Sequence, residues 1–304
     1  MKSVTFLFSF ILFFSACDIV VDLDIPEHEP VLVVNSVLSV DSIMTAHVSH
    51  SKGAFDSNSI SFVHNASVEV YEDGDLLGLM DEIAYYTNTS GIDSSYVYRL
   101  NHNPTAGKTY SYEIAHEEYE AVRAETHMPN AVDLIVEDVS LIEVDEYESQ
   151  YRIRFYFNDE LNENYYRLRL ISEYNDYSYF MYFESSDASI ISSVGVESDG
   201  ATYWGSEALF DDELFNGSTK EITLDFWDWS KYNEEEQYEV EYVLELTSVS
   251  KSYYTYIKSL RAHYNNQDQF IFAGEPVQVF TNVQNGLGIL GASNTKSVEF
   301  ILSE

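Results

Sequence analysis

The chain has 304 residues, 45% of them hydrophobic, which is ample for a packed core and excludes a disordered protein. Fifteen basic residues face 52 acidic ones, a formal net charge of −37, and a surface of that sign repels nucleic acid and anionic headgroups. There is a single cysteine, so an internal disulfide and any multi-cysteine metal site are excluded, while 25 Tyr and 18 Phe favour strands.

The chain opens on KSVTFLFSFILFFSAC, residues 2–17. One Lys precedes an apolar run from Phe6 to Phe14, and Ser15 and Ala16 lead to Cys17. A basic start, a short apolar core and small residues before a cut are the parts of a secretory signal peptide. The run is about ten residues, against roughly 20 for a membrane-spanning helix. Phe14-Ser15-Ala16-Cys17 resembles a bacterial lipobox, which predicts cleavage after residue 16 and lipidation of Cys17. At about 0.8 kcal/mol per buried CH2, two or three acyl chains would hold the protein to a membrane. Residues 17–30, with Pro26, Pro30 and several acids, read as an acidic tether.

Short β signals follow from Val31. VLVVNSV (31–37) is an almost continuous apolar run and predicts a strand buried on both faces. MTAHVSHS (44–51) alternates. Asp73-Gly74 between two β-type runs predicts a tight hairpin, because both turn positions need positive φ. YVYRL (96–100), TYSYEIA (109–115) and YEAVRAE (119–125) continue the pattern. Strands about every ten residues predict an N-terminal immunoglobulin/transthyretin-like β-sandwich over 31–128.

Met128-Pro129-Asn130 marks the predicted boundary. Beyond it, 133–145, YRIRFYFND (151–159), YYRLRLISEY (165–174), 178–185, KEITLDFWDW (220–229) and 238–249 predict further strands, making 131–304 a second β-rich domain. In SKSYYTYIKSLRAHYNNQ (250–267), Tyr253, Tyr256, Ile257, Leu260 and Tyr264 recur at helical spacing. This predicts one amphipathic helix over about 250–266, capped by Ser250, ended by Asn265-Asn266, and packing its tyrosines into a core. Val277, Val279 and Thr281 read as a short strand, Asn285 to Gly291 as a glycine loop, and SVEFIL (297–302) as the last strand. The loop lacks the Gly-Lys-Ser/Thr ending of a phosphate loop.

No catalytic constellation holds up in the sequence. It has no Gly-x-Ser-x-Gly elbow, no His-Glu-x-x-His and no EF-hand loop. His47, His50 and His64 form the closest histidine grouping, but on a strand His47 and His50 face opposite sides. Adjacent acids such as Asp211-Asp212-Glu213 carry little weight in so acidic a chain. The expectation is therefore a non-enzyme with no cofactor and no metal. Trp204, Trp227 and Trp229 are the candidates for a ligand or partner surface. Trp227 and Trp229, two apart, share a strand face opposite Phe226 and Asp228. Such a pair is either core or a stacking platform, and core is the commoner outcome.

The lipobox at Cys17, VLVVNSVLS (31–39), SKSYYTYIKSL (250–260) and above all PVQVFTNVQNGLGILG (276–291) together resemble the Bacteroidota surface lipoproteins grouped as domain of unknown function 4249. The resemblance spans nearly the whole chain. It implies a lipid-anchored, surface-exposed protein of the outer membrane, with a TonB-dependent outer-membrane receptor as partner and an accessory or ligand-binding role in uptake. A structural or adhesive role without transport is the alternative. No activity comes with the family, so no catalytic residue is carried over. The acids Asp18, Asp22 and Asp24 loosely match the export signal of such lipoproteins, and Asp41-Ser42-Ile43 resembles their O-glycosylation acceptor, which singles out Ser42. Ser36 stands where the family has glycine, a change expected to alter a turn.

Overall fold

The computed structural model describes residues 28–53, 56, 61–86, 94–144, 148–174, 177–194, 202–228, 240–267 and 277–302. The fold is mainly β. In chain order the strands are β1 (Leu32–Ser39), β2 (Met44–His50), β3 (Ser67–Glu72), β4 (Asp75–Leu79), β5 (Asp81–Tyr86), β6 (Ser94–Leu100), β7 (Thr109–His116) and β8 (Tyr119–His127). Then come β9 (Leu134–Val144), β10 (Ser149–Asn158), β11 (Tyr165–Tyr174), β12 (Tyr177–Phe180) and β13 (Phe183–Ser185), followed by helix α1 (Ala188–Val194). The chain continues through β14 (Tyr203–Gly205), β15 (Glu207–Asp211), β16 (Thr219–Asp228) and β17 (Glu241–Val249) to helix α2 (Lys251–Gln267). It closes with β18 (Val283–Gln284) and β19 (Leu287–Ile301).

One nine-stranded sheet runs through the described molecule in the order β12-β11-β17-β19-β1-β2-β6-β5, with β15 also pairing β11. Two five-stranded sheets, β18-β8-β7-β3-β4 and β14-β13-β16-β10-β9, complete the architecture. The first covers a core of Leu32, Val34, Val48, Val70, Tyr98 and Tyr112 with their neighbours. The second covers another, built on Phe155, Leu168, Phe183, Leu224, Phe226 and Leu244. The cores divide near residues 128–132, but the large sheet does not. β19 joins them: it runs parallel to β1, with Val33 opposite Leu287, and antiparallel to β17. Because side chains alternate along a strand, its even positions share a face. Leu290 and Ala292 enter the first core, while Val298 and Phe300 pack on the second.

Several elements depart from the sequence expectations. β1 is buried on one face only: Leu32, Val34, Ser36 and Leu38 point inward, whereas Asn35 and Val37 are exposed. Ser36 sits mid-strand rather than in a turn, and its hydroxyl donates to the Thr45 carbonyl at 2.6 Å. Asn285 and Gly286 form the expected tight turn, Asn285 at φ 61°, but from Leu287 onward the glycine loop is the start of β19. Gly288 has φ +102° and Gly286 faces the Leu32 carbonyl, so both glycines let the strand close on β1 where a Cβ would collide. Residues 277–281 form no strand; the short β18 lies at Val283–Gln284 and pairs with β8. Helix α1 and strands β5, β14 and β15 were not anticipated.

The Asp73-Gly74 turn has positive φ at both positions, 50° and 91°, as the hairpin between β3 and β4 requires. Helix α2 starts where its cap predicts: the Ser250 hydroxyl accepts from the Tyr253 amide at 3.3 Å and from the Ala292 amide at 3.0 Å. It continues through Asn265-Asn266 to Gln267. Its tyrosines enter a core only in part: Tyr253 and Ile257 of the expected face are half-buried against a small cluster. Tyr254, outside the expected face, is the buried one, packing with Leu209 and Val249, and Tyr264 is 59% exposed. The helix lies on the sheet face opposite the two cores, with Gly291 of β19 beneath the Tyr253 ring.

Candidate functional site

Cys17 and Trp229 lie outside the described residues. Ser42 is exposed in the turn between β1 and β2, its amide donating to the Ser39 carbonyl at 3.3 Å. His47 and His64 flank Phe62 edge-on, at 5.6 and 5.1 Å between ring centroids, and His64 bonds Glu82 at 2.6 Å. His50 pairs with Ser61. Among the described residues, no three His, Cys, Asp or Glu side chains are placed to share a metal ion.

The alternation of β16 sends Ile222, Leu224, Phe226 and Asp228 inward and turns Asp225 and Trp227 outward. Trp227 is therefore on the outer face of the second five-stranded sheet, not in the core. There it meets Trp204, edge to face, with centroids 5.1 Å apart. Trp204 in turn stacks on Tyr182 at 5.8 Å. Trp204 is 54% exposed and Tyr182 57%. Trp204 faces out because its neighbour Tyr203 faces in: the Tyr203 hydroxyl donates to the Glu207 carbonyl at 2.5 Å, and burial pushes that phenol up to about 12. Gly205 leaves room for it, since a Cβ there would lie 2.3 Å from the Tyr203 oxygen.

Polar groups stand in register beside the rings. Glu184 of β13 is directly opposite Trp204 on one side and Asp225 on the other. Asp225 is held by a two-pronged bond from Arg152, both contacts 2.7 Å. That pairing holds the Arg152 guanidinium in its charged form. Gln150 lies opposite Trp227. A second set of exposed rings, Tyr177, Tyr179 and Phe180, lies on β12 at the edge of the large sheet. Phe180 carries the Arg169 guanidinium at 5.1 Å from its ring centre. The sequence pointed to Trp204 and Trp227; it did not point to Tyr182 or Glu184, because SYFMYFES has no clean alternation to tell inner from outer positions.

A concavity of about 890 Å3 lies where the two cores meet, between the ends of β8 and β17, the 160–164 loop and the start of α2. Its polar groups bond mainly to one another. Lys251 pairs with Glu163 at 2.7 Å, and the Asn130 amide donates to Glu160 at 3.2 Å. Below its floor, Asp159 accepts from the Tyr166 hydroxyl and from the Gly217 amide, and Asp212 accepts from the Asn164 amide at 2.9 Å. Burial raises both carboxyls above the ordinary range despite those bonds. Such groups are structural plugs in this setting: each is committed to backbone or phenol donors and neither opens on a cleft with a free partner.

The aromatic platform thus sets two rings more than half exposed, with Trp227 beside them, next to Glu184 and Gln150. No curated protein matches the chain. Residues 20–299, almost its whole length, match a family that has a name only as a domain of unknown function, DUF4249, and the chain belongs to that family.

Proposed function

We propose that the chain is a non-catalytic lipoprotein of the outer membrane, anchored through Cys17 and exposed at the surface, which serves as an accessory or ligand-binding component of a TonB-dependent nutrient transporter. The observation that carries the binding role is the Tyr182–Trp204–Trp227 platform, because rings of this size are seldom left in water without a partner. The anchor rests on the residues from Lys2 to Cys17, and the transporter link on the family resemblance. The first core, closed between β1-β2-β6-β5 and the first five-stranded sheet, is read as an immunoglobulin/transthyretin-like sandwich. In this reading the acidic surface keeps the protein clear of nucleic acid.

The test is purification of the tagged, acylated protein from outer membranes in mild detergent. A barrel recovered in stoichiometric amount is the expected result; Cys17→Ala should release the protein from the membrane fraction. A protein that purifies with no barrel, and whose loss changes attachment but not growth on any nutrient, would favour the structural or adhesive alternative.

A further inference from the structure

We infer that the Tyr182–Trp204–Trp227 platform is a binding site for a neutral saccharide chain. The inference rests on the binding-module reading of the same surface and adds its ligand class.

Three observations carry it. The first is shape. The rings form a row on the outer face of a sheet, Tyr182 and Trp204 more than half exposed and Trp227 partly exposed, with Trp204 stacked against Tyr182 and meeting Trp227 edge-on. They form a shelf, not a closed cage. A shelf suits a flat ligand with an apolar face, such as a pyranose with equatorial hydroxyls, whose axial C–H groups meet the negative face of an aromatic ring. A compact cation would need rings around it on several sides.

The second is hydrogen bonding. A stacked sugar presents its hydroxyls sideways, so the groups that read them must flank the rings. Glu184, beside Trp204, and Gln150, beside Trp227, do so in strand register. Neither side chain hydrogen-bonds to another described residue, and both are only partly exposed. Asp225 and Arg152 lie between them, and their bidentate pairing fixes a ready-made row of acceptors and donors across the sheet.

The third is charge. Glu184, in register with Trp204, has no ion-pair partner among the described residues, and the chain carries a net charge of −37. Uronates and sulfated sugars would be repelled. The ligand is therefore neutral, and the protein that meets it needs no counter-charge.

The experiment uses the full acylated chain in detergent micelles, titrated by calorimetry and tryptophan fluorescence with neutral hexasaccharides of glucose, xylose and mannose, with a polyuronate and with choline. Binding of at least one neutral hexasaccharide is expected, with a shift in tryptophan emission. Trp204→Ala and Trp227→Ala should each weaken it about tenfold, an energy of about 1.4 kcal/mol. Glu184→Gln should weaken it less, and Tyr264→Ala on the far helix should leave it unchanged. Both tryptophans point away from the core, Trp204 exposed and Trp227 partly so, and circular dichroism of each variant checks that the fold is retained. The inference is overturned if no neutral hexasaccharide binds, if binding survives both tryptophan substitutions, or if choline or the polyuronate binds in their place. Recovery of a barrel with a protein that binds no saccharide removes this inference alone; saccharide binding with no barrel removes the transporter link alone.

Discussion

Gly288 lies against the backbone of Val34: a Cβ on Gly288 would stand 2.0 Å from the Val34 carbonyl oxygen. No side chain fits there, and the φ of +102° is one that residues other than glycine rarely adopt. The contact is where β19 begins its run beside β1. Gly288→Ala should therefore destabilise the protein by about 3 kcal/mol, combining backbone strain with a parted strand pair. Urea unfolding measures this, and a loss below about 1 kcal/mol would mean that the two strands are not so tightly joined.

Phe226 and Trp227 are neighbours with opposite fates. Phe226 is fully buried, so Phe226→Ala should cost about 3–5 kcal/mol. Trp204, on the outer face with Trp227, should change stability by no more than about 0.5 kcal/mol when replaced by Ala. Thermal melts of the two variants give the comparison. Equal losses would place the platform inside the protein.

Acidity should stabilise the fold before it harms it. Asp159 and Asp212 have carboxyls raised chiefly by burial, so the folded chain holds their protons to higher pH than the unfolded chain does. Their contribution then declines as pH rises from the ordinary carboxylate range through the raised values, and is restored on acidification across that window. Below it, carboxyls lowered by partners, such as Asp73 beside Lys108 and Glu163 beside Lys251, lose their ion pairs and stability falls again. Chemical denaturation across a pH series should show a maximum on the acid side of neutrality. In the double variant Asp159→Asn, Asp212→Asn the rise should flatten; an unchanged slope would assign it to the general surface charge.

Ser250→Ala should cost about 1–2 kcal/mol, since one hydroxyl caps helix α2 and also bonds the Ala292 amide of β19. Ser250→Thr, which keeps the hydroxyl, should recover most of it. Guanidinium unfolding of both variants is the check, and equal losses would point to packing in place of the cap.

Local chemistry made much of the fold legible. Asp73-Gly74 declared its hairpin because two successive residues had to tolerate positive φ. Ser250 declared its helix start, and the alternation of 151–157 announced which face was core. The misreadings share a cause: they depend on partners far away in the chain. Leu287 to Gly291 looked like a continuation of the Asn285-Gly286 turn because nothing nearby says that Val34 and Tyr253 crowd Gly288 and Gly291. VLVVNSV looked doubly buried because an apolar run cannot tell one covered face from two. Tyr253, Tyr256 and Tyr264 keep a helical stripe, but the sheet beneath buries Tyr254 most deeply, half-buries Tyr253 and leaves Tyr264 exposed. Trp227 was legible as one of two faces; that its face was the outer one followed from Phe226 and Asp228 turning inward together.

The pairing of residue 33 with residue 287 also sets an order of events. β1 emerges first from any machine that makes or exports the chain, yet one of its edges stays open until β19 arrives. Long-range closure of this kind is slow, and an open edge in the meantime invites wrong pairing. A chain cut anywhere before residue 287 would lack the strand that fills part of both cores and could finish neither. Closure of the large sheet is thereby tied to the last strand: until β19 is delivered, neither β1 nor β17 has its partner on that side.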